Sequence, residues 1–285
     1  MLSFNKLGLS GRLGNQMFQY AALRGIAANR GFDWVMPPAG INSVDEYGHQ
    51  NNYCLFETFK MGSVQKKNIG YLPNAQWIIW REFHFNKELF NNCPDNINLD
   101  GYFQTEKYFK HIENIIREDF QFQDSIYEPC KEMIDSLGSD RKIFMHIRRG
   151  DPKLCWSYVN LQQAHPLQTW DYYDEALSHF PDDIPVIVLS DVIDWCKEQD
   201  YFKSDRFIFS ETMDTFSDGQ RIPWVDLCLM TLCTDAIIAN SSFSWWGAWL
   251  INNPDKKVIA PKKWFGSQYD HYDMSDLIPE SWIEI

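Results

Sequence analysis

The chain of 285 residues lacks several patterns that assign a function at once. Its seven cysteines are scattered and include no Cys-x-x-Cys pair, which excludes the common zinc and dithiol motifs. Free thiols of this kind predict a reducing compartment. No run of about 18 apolar residues occurs, so no membrane-spanning helix is expected. The first residues also lack the long apolar stretch of a signal peptide.

Positive charge is also scarce. The 26 Lys and Arg residues are outnumbered by 39 Asp and Glu, which gives a formal net charge of −13. A nucleic-acid-binding protein is expected to carry a basic face, so no nucleic acid is predicted as a partner. The adjacent Arg148 and Arg149 stand out because they follow the apolar run 142–147. An unpaired buried charge is costly, so an anion from the protein or from a ligand is expected there.

Motifs for metals and dinucleotides are missing too. No two aspartates are separated by a single residue, and no two histidines by one, two or three. Neither a metal site nor a cofactor is therefore predicted. The absence of G-x-G-x-x-G argues against an alternative interpretation, an NAD-linked sugar-nucleotide enzyme. Another alternative, a non-catalytic sugar-binding module, fits the many aromatic residues but gives no reason for two adjacent arginines.

Apolar runs alternate with helical patterns along the chain. The first series has a strand at 2–9, a helix at 15–31 and a strand at 32–38. Gly31 is the expected C-cap of this helix, because glycine adopts the left-handed backbone conformation without strain. Strands that alternate with helices predict a parallel sheet covered by helices on both faces.

A second series of the same kind fills the C-terminal half. Two series predict an α/β protein with two Rossmann-like, doubly wound domains, residues 1–139 and residues 140–285. Four polar clusters follow predicted strands, and ligands of open parallel sheets bind at that edge. The strands of the second series are predicted at 142–147, 184–190, 206–210, 236–240 and 256–261. The clusters are 8–16, 146–151, 189–191 and 240–246.

The cluster HIRRGD, residues 146–151, is the most informative of the four. Arginine offers a planar fork of donors that fits phosphate or carboxylate, so Arg148 and Arg149 are candidate anion ligands. The alternative is an internal salt bridge from one of the two arginines to Asp151. His146 is either a ligand contact or a core histidine with satisfied hydrogen bonds.

The cluster 240–246 places hydroxyl groups where a strand becomes a helix. Serine is a natural N-cap, and the start of a helix is also an anion site. Two interpretations, a cap alone and a cap with a bound phosphate, stay open for Ser241, Ser242 and Ser244. Asp191, at the end of another strand, is either a helix N-cap or an acceptor for ribose hydroxyls.

The cluster after the first strand is rich in glycine and contains Gly8, Gly11 and Gly14. Glycine spacing alone is weak evidence for a nucleotide site. Arg12 within this loop is unusual. A basic side chain at this place suits an anion that other donors already hold.

Three of these segments together resemble the α-1,2-fucosyltransferases of glycosyltransferase family 11, in the same order along the chain. GRLGNQMFQYA (11–21) matches the GxxGNQxFQYA segment of that family. HIRRGD (146–151) matches its HxRRGD motif, and NSSFSWWGAWL (240–250) matches its NSSFSWWxAWL segment. The resemblance spans nearly the whole chain.

The resemblance implies a GT-B-like fold of two facing α/β domains, with residues 140–285 binding GDP-β-L-fucose and residues 1–139 on the acceptor side. It implies inverting, metal-independent transfer of L-fucose to O2 of a galactose-terminated glycan. A cytoplasmic location is expected for such a bacterial-type enzyme, with peripheral contact to the inner membrane left open. The residues expected to bind GDP-fucose are Arg12, Gly14, His146, Arg148, Arg149, Asp191, Asn240, Ser241, Ser242, Phe243 and Ser244.

Catalytic roles are expected for Arg148, Asp151 and Asn15. Arg148 is expected to stabilise the departing diphosphate, and Asp151 to organise Arg149 beside it. A salt-bridged carboxylate has a low pKa and is a weak base, so the general base is left open. Asn15 cannot accept a proton but can orient the acceptor. His165 is a further candidate base, in a segment that departs from the pattern of the family.

Overall fold

A computed structural model describes residues 1–40, 42–44, 50–150, 163–210 and 222–285 of the chain. The chain divides into two compact units. The first unit comprises Met1–Gln123 and His271–Pro279, and the second comprises Asp124–Asp270 and Glu280–Ile285.

The boundary between the units lies one helix earlier than the sequence predicts. The helix Asp124–Ser136 belongs to the second unit because it packs against the helix Pro223–Leu232. Residues 271–279 return to the first unit, where the carboxylate of Asp276 accepts the backbone N–H of Phe85 at 2.8 Å. Local sequence patterns contain no information on these two packing contacts. The roles of the two units, acceptor side and donor side, stay predictions.

The first unit is built on a four-stranded parallel sheet. Its described elements are β1 (Leu2–Ser3), α1 (Leu13–Arg30), β2 (Trp34–Val35), β3 (Asn42–Val44), β4 (Gln50–Asn52), α2 (Leu55–Thr58), β5 (Gln76–Trp80), α3 (Lys87–Asn92), β6 (Ile97–Gly101) and α4 (Glu113–Asp119). The sheet has the order β2-β1-β6-β5, and β3 and β4 form a separate antiparallel pair. In the register, Leu2 pairs with Trp34 on one side and with Ile97 on the other.

Helix α1 is buried along most of its length and ends as predicted at Gly31, whose φ of 67° is left-handed. The strand predicted at 2–9 is wrong in its length, since only Leu2–Ser3 pairs in the sheet. The chain turns immediately afterwards, where the Leu7 N–H donates to the Phe4 carbonyl at 2.9 Å. This early turn places the glycine-rich segment at the carboxyl end of β1.

The second unit is built on a six-stranded parallel sheet. Its described elements are α5 (Asp124–Ser136), β7 (Ile143–Ile147), α6 (Trp170–Ser178), β8 (Val186–Ser190), α7 (Ile193–Lys197), β9 (Phe207–Phe209), α8 (Pro223–Leu232), β10 (Asp235–Ile237), α9 (Ser242–Leu250), β11 (Val258–Ala260) and β12 (Ile283–Glu284). The sheet has the order β12-β11-β10-β7-β8-β9. The chain builds outward from β7 to β9 and then places β10 on the other side of β7. The predicted parallel sheet is confirmed, and its topological switch point lies between β7 and β10.

Two tyrosines tie α6 to the carboxyl edge of this sheet. The Tyr172 hydroxyl donates to the Ile238 carbonyl at 2.6 Å, just beyond the end of β10. The Tyr173 hydroxyl donates to the His146 carbonyl in β7 at 3.1 Å. A buried phenol needs such a partner. These two bonds fix α6 beside the switch point.

Six of the seven cysteines lie in the described part of the chain, and all six are free and buried. The prediction of free thiols is confirmed for these six, whereas Cys155 lies outside the described residues. None of the helices in the described ranges combines the length and apolar character that crossing a bilayer requires.

Gly25 in the middle of α1 provides a test of how tightly the first unit is packed. Helix propensity alone predicts that Gly25→Ala stabilises the protein by about 1 kcal/mol. In the structure, a Cβ at this residue would lie 1.9 Å from the Tyr108 carbonyl oxygen, and a backbone atom cannot move aside cheaply. We therefore expect Gly25→Ala to lower the free energy of unfolding by about 1–3 kcal/mol, as measured by urea denaturation.

Gly62→Ala in the first unit is the control. Its Cβ would lie 3.6 Å from Cγ of Glu118, which is an ordinary van der Waals contact. We expect this substitution to change the free energy of unfolding by less than about 1 kcal/mol. A stabilised Gly25→Ala variant, or equal losses in the two variants, would show that α1 does not pack tightly against Tyr108.

Candidate functional site

The arginine turn, residues 148–150, begins where β7 ends. The carboxylate of Asp191, which follows β8, accepts the backbone N–H of Arg149 at 3.0 Å and that of Gly150 at 2.8 Å. Gly150 has a φ of 76°, which glycine adopts without strain. Because hydrogen bonds to a charged acceptor are strong, Asp191 fixes the path of the arginine turn.

This contact also decides between the two interpretations of Asp191. The N-cap of α7 is Val192, and no side chain caps this helix. The interpretation of Asp191 as a helix N-cap is therefore wrong, because both of its oxygens are turned towards the neighbouring strand end. Contact with ribose hydroxyls stays a prediction, since a carboxylate oxygen can accept more than one hydrogen bond.

Arg148 spans the switch point of the sheet. Its Nη1 donates to the backbone carbonyl of Asn240, beyond β10, at 3.1 Å. The side chain of Asn240 is buried, and its Nδ2 donates to the carbonyls of Pro166 at 3.0 Å and Trp264 at 2.9 Å. Asn240 therefore uses both amide hydrogens to tie two loops together beside Arg148. Contact between Asn240 and the donor stays a prediction, and it would involve the side-chain oxygen of Asn240.

The first turn of α9 supplies hydroxyl and amide groups at the same edge. Ser241 is the N-cap, and its Oγ accepts the Phe243 N–H at 3.3 Å. The Oγ of the buried Ser244 donates to the Ala239 carbonyl at 3.3 Å. Ser242 lies half-buried on the first turn. The cap interpretation is confirmed for Ser241, and a bound phosphate stays a prediction.

His146 in β7 is buried beside the start of α9, with its ring centroid 6.0 Å from that of Phe243. Burial lowers the pKa of His146 to about 4, the charge of Asp191 opposes this shift, and the charge of Arg148 adds to it. The imidazole is therefore neutral near pH 7. Its Nδ1 has no hydrogen-bond partner within the described residues. His146 is thus a core histidine with one polar atom left for a ligand or water.

His165 also lies near Arg148, a position that the sequence alone could not establish. Burial, followed by the charge of Arg148, holds the pKa of His165 well below its usual value. Its ring centroid lies 5.2 Å from that of Phe265, and its Nδ1 has no partner in the part of the chain described. The next residue, Pro166, is one of the two that Asn240 holds. The neutral imidazole of His165 can accept a proton, but its low pKa makes it a weak base.

A cavity of about 280 Å³ opens beside the arginine turn. Its walls include the indoles of Trp170, at the start of α6, and Trp195 in α7. The guanidinium carbon of Arg149 lies 3.9 Å from the ring centroid of Trp195, which is a cation–π contact. Sequence reasoning missed both tryptophans, because neither belongs to a recognisable motif. The other lining residues are Ile147, Arg148, Gln168, Thr169 and Tyr173.

The glycine-rich segment of the first unit is closely packed. Gly8 and Gly11 have φ values of 86° and 88°. A Cβ on Gly11 would lie 2.5 Å from the amide nitrogen of Asn15, so no larger residue fits there without a shift. The Oδ1 of Asn15 accepts a hydrogen bond from Gln104 at 2.7 Å. The side-chain amide of Asn15 is therefore oriented by Gln104 and packs closely against Gly11.

Two glutamines of α1 hold this segment, and neither was predicted as a site residue. Gln16 Nε2 donates to the Gly11 carbonyl at 3.2 Å. Gln19 Nε2 donates to the carbonyls of Ser10 at 3.1 Å and Gly101 at 3.2 Å. The only signal in the sequence was their place in the GNQMFQ segment. Their amides anchor the loop to the helix that follows it.

The predicted site residues fall into two groups. Arg12, exposed at the N-cap of α1, Gly14, buried in its first turn, and Asn15 belong to the first unit. Asp151 lies outside the described residues, so its salt bridge and its catalytic role stay predictions.

In the described ranges, no group of three or more His, Cys, Asp or Glu could hold a metal ion. The residues that share the carboxyl edge of the second sheet are His146, Arg148, Arg149, Asp191, Asn240, Ser241, Ser242, Phe243 and Ser244.

Comparison with protein families gives a match over nearly the whole chain. A family described as Glycosyl transferase family 11 matches residues 2–285. The chain belongs to glycosyl transferase family 11. The resemblance inferred from three sequence segments is therefore confirmed.

Curated relatives of this family 11 protein match it along most of its length. It is 30% identical to an alpha-1,2-colitosyltransferase of Escherichia coli, over 97% of each chain. It is 28% identical to the O-antigen biosynthesis glycosyltransferase WbnK of Escherichia coli, over 97% of this chain and 99% of the relative. It is 26% identical to galactoside alpha-(1,2)-fucosyltransferase 2 of Pongo pygmaeus, over 84% of this chain and 67% of the relative.

Solved structures share the fold of this family 11 protein. POFUT1 in complex with GDP-fucose matches with a TM-score of 0.53 and 12% identity, over 91% of this chain and 97% of that chain. The alpha-1,6-fucosyltransferase NodZ, co-crystallised with GDP, matches with a TM-score of 0.51 and 14% identity, over 86% and 91%. At these identities the likeness establishes the fold alone. The predicted GT-B-like α/β class is confirmed.

The role of Asp191 in holding the arginine turn can be measured directly. Asp191→Ala removes the acceptor of two backbone amides, so we expect amide exchange in the peptide covering 148–150 to accelerate about ten-fold or more. Asp194→Ala is the control, because this exposed carboxylate lies in the first turn of α7. Exchange in the control should match that of the wild type. Unchanged exchange in Asp191→Ala would mean that Asp191 does not hold the turn.

Proposed function

We propose that this protein transfers L-fucose from GDP-β-L-fucose to O2 of a terminal galactoside, without a metal ion and with inversion at the anomeric carbon. The observation that carries the proposal is the hydrogen bond from Arg148 to the Asn240 carbonyl. It joins a guanidinium to the loop that starts α9, at the switch point where ligands of such sheets bind. Guanidinium and helix N–H groups together suit a diphosphate. Family membership and the names of the relatives support fucosyl transfer to galactosides.

In the proposed reaction, O2 of the acceptor attacks C1 of fucose on the face opposite to GDP. The bond between C1 and the diphosphate oxygen breaks, and GDP departs with the electron pair of that bond. Arg148 and the first N–H groups of α9 stabilise the negative charge as it develops, because they are already oriented. The proton of the acceptor hydroxyl passes to a base or to water. The products are GDP and an α-linked fucoside.

Stabilisation of the leaving group dominates in this scheme, and the base has a smaller part. Departure of GDP leaves an oxocarbenium-like carbon that does not need a strong nucleophile. His165 is neutral and can accept the proton, but burial and the charge of Arg148 hold its pKa low. Asp151 remains the other candidate base, and Asn15 can only orient a hydroxyl.

Transfer of colitose is the second candidate activity, because the Escherichia coli relative at 30% identity carries that name. Colitose lacks the 3-hydroxyl of fucose. The decisive experiment supplies GDP-L-fucose and GDP-L-colitose separately to a panel of galactosides and analyses the linkage in each product. A product from GDP-colitose alone would overturn fucose as the donor. A protein that binds a sugar but neither transfers from these donors nor binds GDP would be a non-catalytic module.

Three finer expectations belong to this proposal. The acceptor is a galactose-terminated glycan, the location is the cytoplasm, and any contact with the inner membrane is peripheral. The acidic composition supports the absence of a nucleic acid partner, because it leaves little positive charge for a phosphate backbone. Cell fractionation before and after a high-salt wash distinguishes a cytoplasmic from a peripheral location.

We expect Arg148→Ala to lower kcat/KM for GDP-fucose about 100-fold or more. A charge-assisted contact contributes about 1.5–3 kcal/mol, and more where charge develops in a dry site. Arg148→Lys should lose nearly as much, because an ammonium lacks the planar fork of donors. Steady-state assays of fucosyl transfer measure both effects.

The control for these variants is Arg141→Ala. Arg141 lies at the amino end of the same sheet, where it pairs with Asp235 at 2.8 Å. Its loss should change kcat/KM less than about three-fold, because Arg141 lies at the end of the sheet opposite to the arginine turn. The buried Asp235 still accepts hydrogen bonds from the Thr234 hydroxyl and the Lys257 N–H. Turnover of Arg148→Ala within a few-fold of the wild type would rule out its role in stabilising the leaving group.

Metal independence predicts that EDTA leaves the rate of transfer unchanged. The chain lacks the Asp-x-Asp motif, and arginine with a helix start supplies the positive charge that a metal would otherwise provide. The assay compares untreated enzyme, enzyme with EDTA, and enzyme to which Mn²⁺ or Mg²⁺ is then added. Activity that is lost on chelation and restored by either ion would contradict the proposal.

A further inference from the structure

The side chains of Arg148 and Arg149 have different surroundings, although the two residues are adjacent. The Arg148 guanidinium donates to the carbonyl of Asn240. The Arg149 guanidinium instead lies 3.9 Å from the ring centroid of Trp195. In the described part of the chain, no hydrogen bond or ion pair involves the Arg149 side chain, so its N–H groups remain available to an anion. The two arginine side chains are therefore held by different partners.

Trp195 lies next to Arg149 in a column of stacked groups. Its ring is parallel to that of Trp170, with an interplanar angle of 2° and centroids 6.0 Å apart. Trp170 in turn stacks on Tyr201, with centroids 4.4 Å apart at 15°. The column runs from Tyr201 through Trp170 and Trp195 to Arg149. We call these four residues the stacking column.

The end of the stacking column opposite to Arg149 is firmly attached. The Tyr201 hydroxyl donates to the carboxylate of Asp174 in α6 at 2.8 Å. Trp170 begins α6 and meets the ring of Phe202 edge-on at 5.7 Å. Three column members, Tyr201, Trp170 and Trp195, pack against a buried apolar cluster of the second unit. The indole on which Arg149 rests is therefore held by the core.

The backbone of Arg149 is fixed independently of its side chain. Asp191 accepts the Arg149 N–H at 3.0 Å, which sets where the residue starts. The long arginine side chain would otherwise retain rotamer freedom that a bound ligand must remove at a cost. The face of Trp195 removes that freedom before binding, because a guanidinium is attracted to an indole face. Arg149 thus reaches the cavity already oriented.

We propose that Trp195 is a positioning residue, which orients the Arg149 guanidinium towards the diphosphate of the donor nucleotide. The inference rests on the proposed function and adds a residue that acts through Arg149. The indole covers one face of the guanidinium and leaves its edge N–H groups to the ligand. Trp195 itself need not touch the donor.

The first experiment measures the Kd of GDP by calorimetry for Trp195→Leu and Trp195→Phe. We expect Trp195→Leu to bind GDP about ten-fold more weakly, because it loses the aromatic face. Trp195→Phe keeps a ring and should lose about three-fold or less. The KM for GDP-fucose should rise in parallel, with kcat changed less than KM. Wild-type affinity in Trp195→Leu would overturn the proposal.

The matched control is Trp34→Leu. Trp34 in the first unit makes the same type of contact, with the guanidinium carbon of Arg24 4.4 Å from its ring centroid. We expect this variant to bind GDP as the wild type does. An equal loss of GDP affinity in Trp34→Leu and Trp195→Leu would show that the effect comes from lost packing in general, and the positioning role would be wrong.

A double-mutant cycle separates action through Arg149 from a merely structural role. If Trp195 acts through Arg149, Arg149→Ala combined with Trp195→Leu should bind GDP no more weakly than Arg149→Ala alone. Losses that multiply would overturn the proposal. If Trp195→Leu does not fold, the cycle is run with Trp195→Phe, whose smaller loss should likewise vanish when Arg149 is absent.

The same measurements separate this inference from the proposed function. A wild-type protein that neither binds GDP nor transfers fucose would overturn the proposed function, and the positioning role would fall with it. A wild-type protein that does both, while Trp195→Leu retains full GDP affinity, would overturn the positioning role alone.

Discussion

The hydrogen bond from Arg148 to the carbonyl of Asn240 is the contact on which the rest of the site depends. It joins the ends of β7 and β10, the two strands on either side of the point where the order of strand addition reverses. Other bonds support it, since the Asn240 side chain holds two loops and Tyr173 ties α6 to β7. The guanidinium and the start of α9 are therefore brought together by the topology of the sheet, before any ligand binds. Such preorganisation is what makes electrostatic stabilisation effective.

The alternation of strands and helices from β7 to β11 was predictable, because apolar runs and helical patterns depend on local periodicity. The strands β5, β6 and β12 were not predicted. The carboxyl-edge clusters were predictable too, since the edge follows from a parallel sheet. The unit boundary was not, because α5 joins the second unit through packing with α8, which periodicity does not encode. Asp191 was recognised as a site residue, but its partners, the amides of Arg149 and Gly150, depend on the turn that Gly150 makes.

The residues that sequence reasoning missed share one property: they act on other protein groups. Gln16 and Gln19 hold loop carbonyls, and Trp195 holds a guanidinium. An amide or an indole in an amphipathic helix looks like an ordinary core residue until its neighbour is known. Residues that contact a ligand often occur in recognisable motifs at strand ends, whereas the residues that orient them are dispersed along the chain. Prediction from sequence is therefore better for contacts with the ligand than for the support of those contacts.

The charge balance of the site supports the proposed binding of a diphosphate by a protein with a net charge of −13. His146 is buried and His165 is half-buried near Arg148, and desolvation together with that charge lowers the pKa of both imidazoles and keeps them neutral. They add no positive charge that would have to be desolvated. Arg149 rests on an indole, which attracts a guanidinium without neutralising it. The positive charge is thus concentrated on two oriented guanidinium groups, where the proposed leaving group would need it.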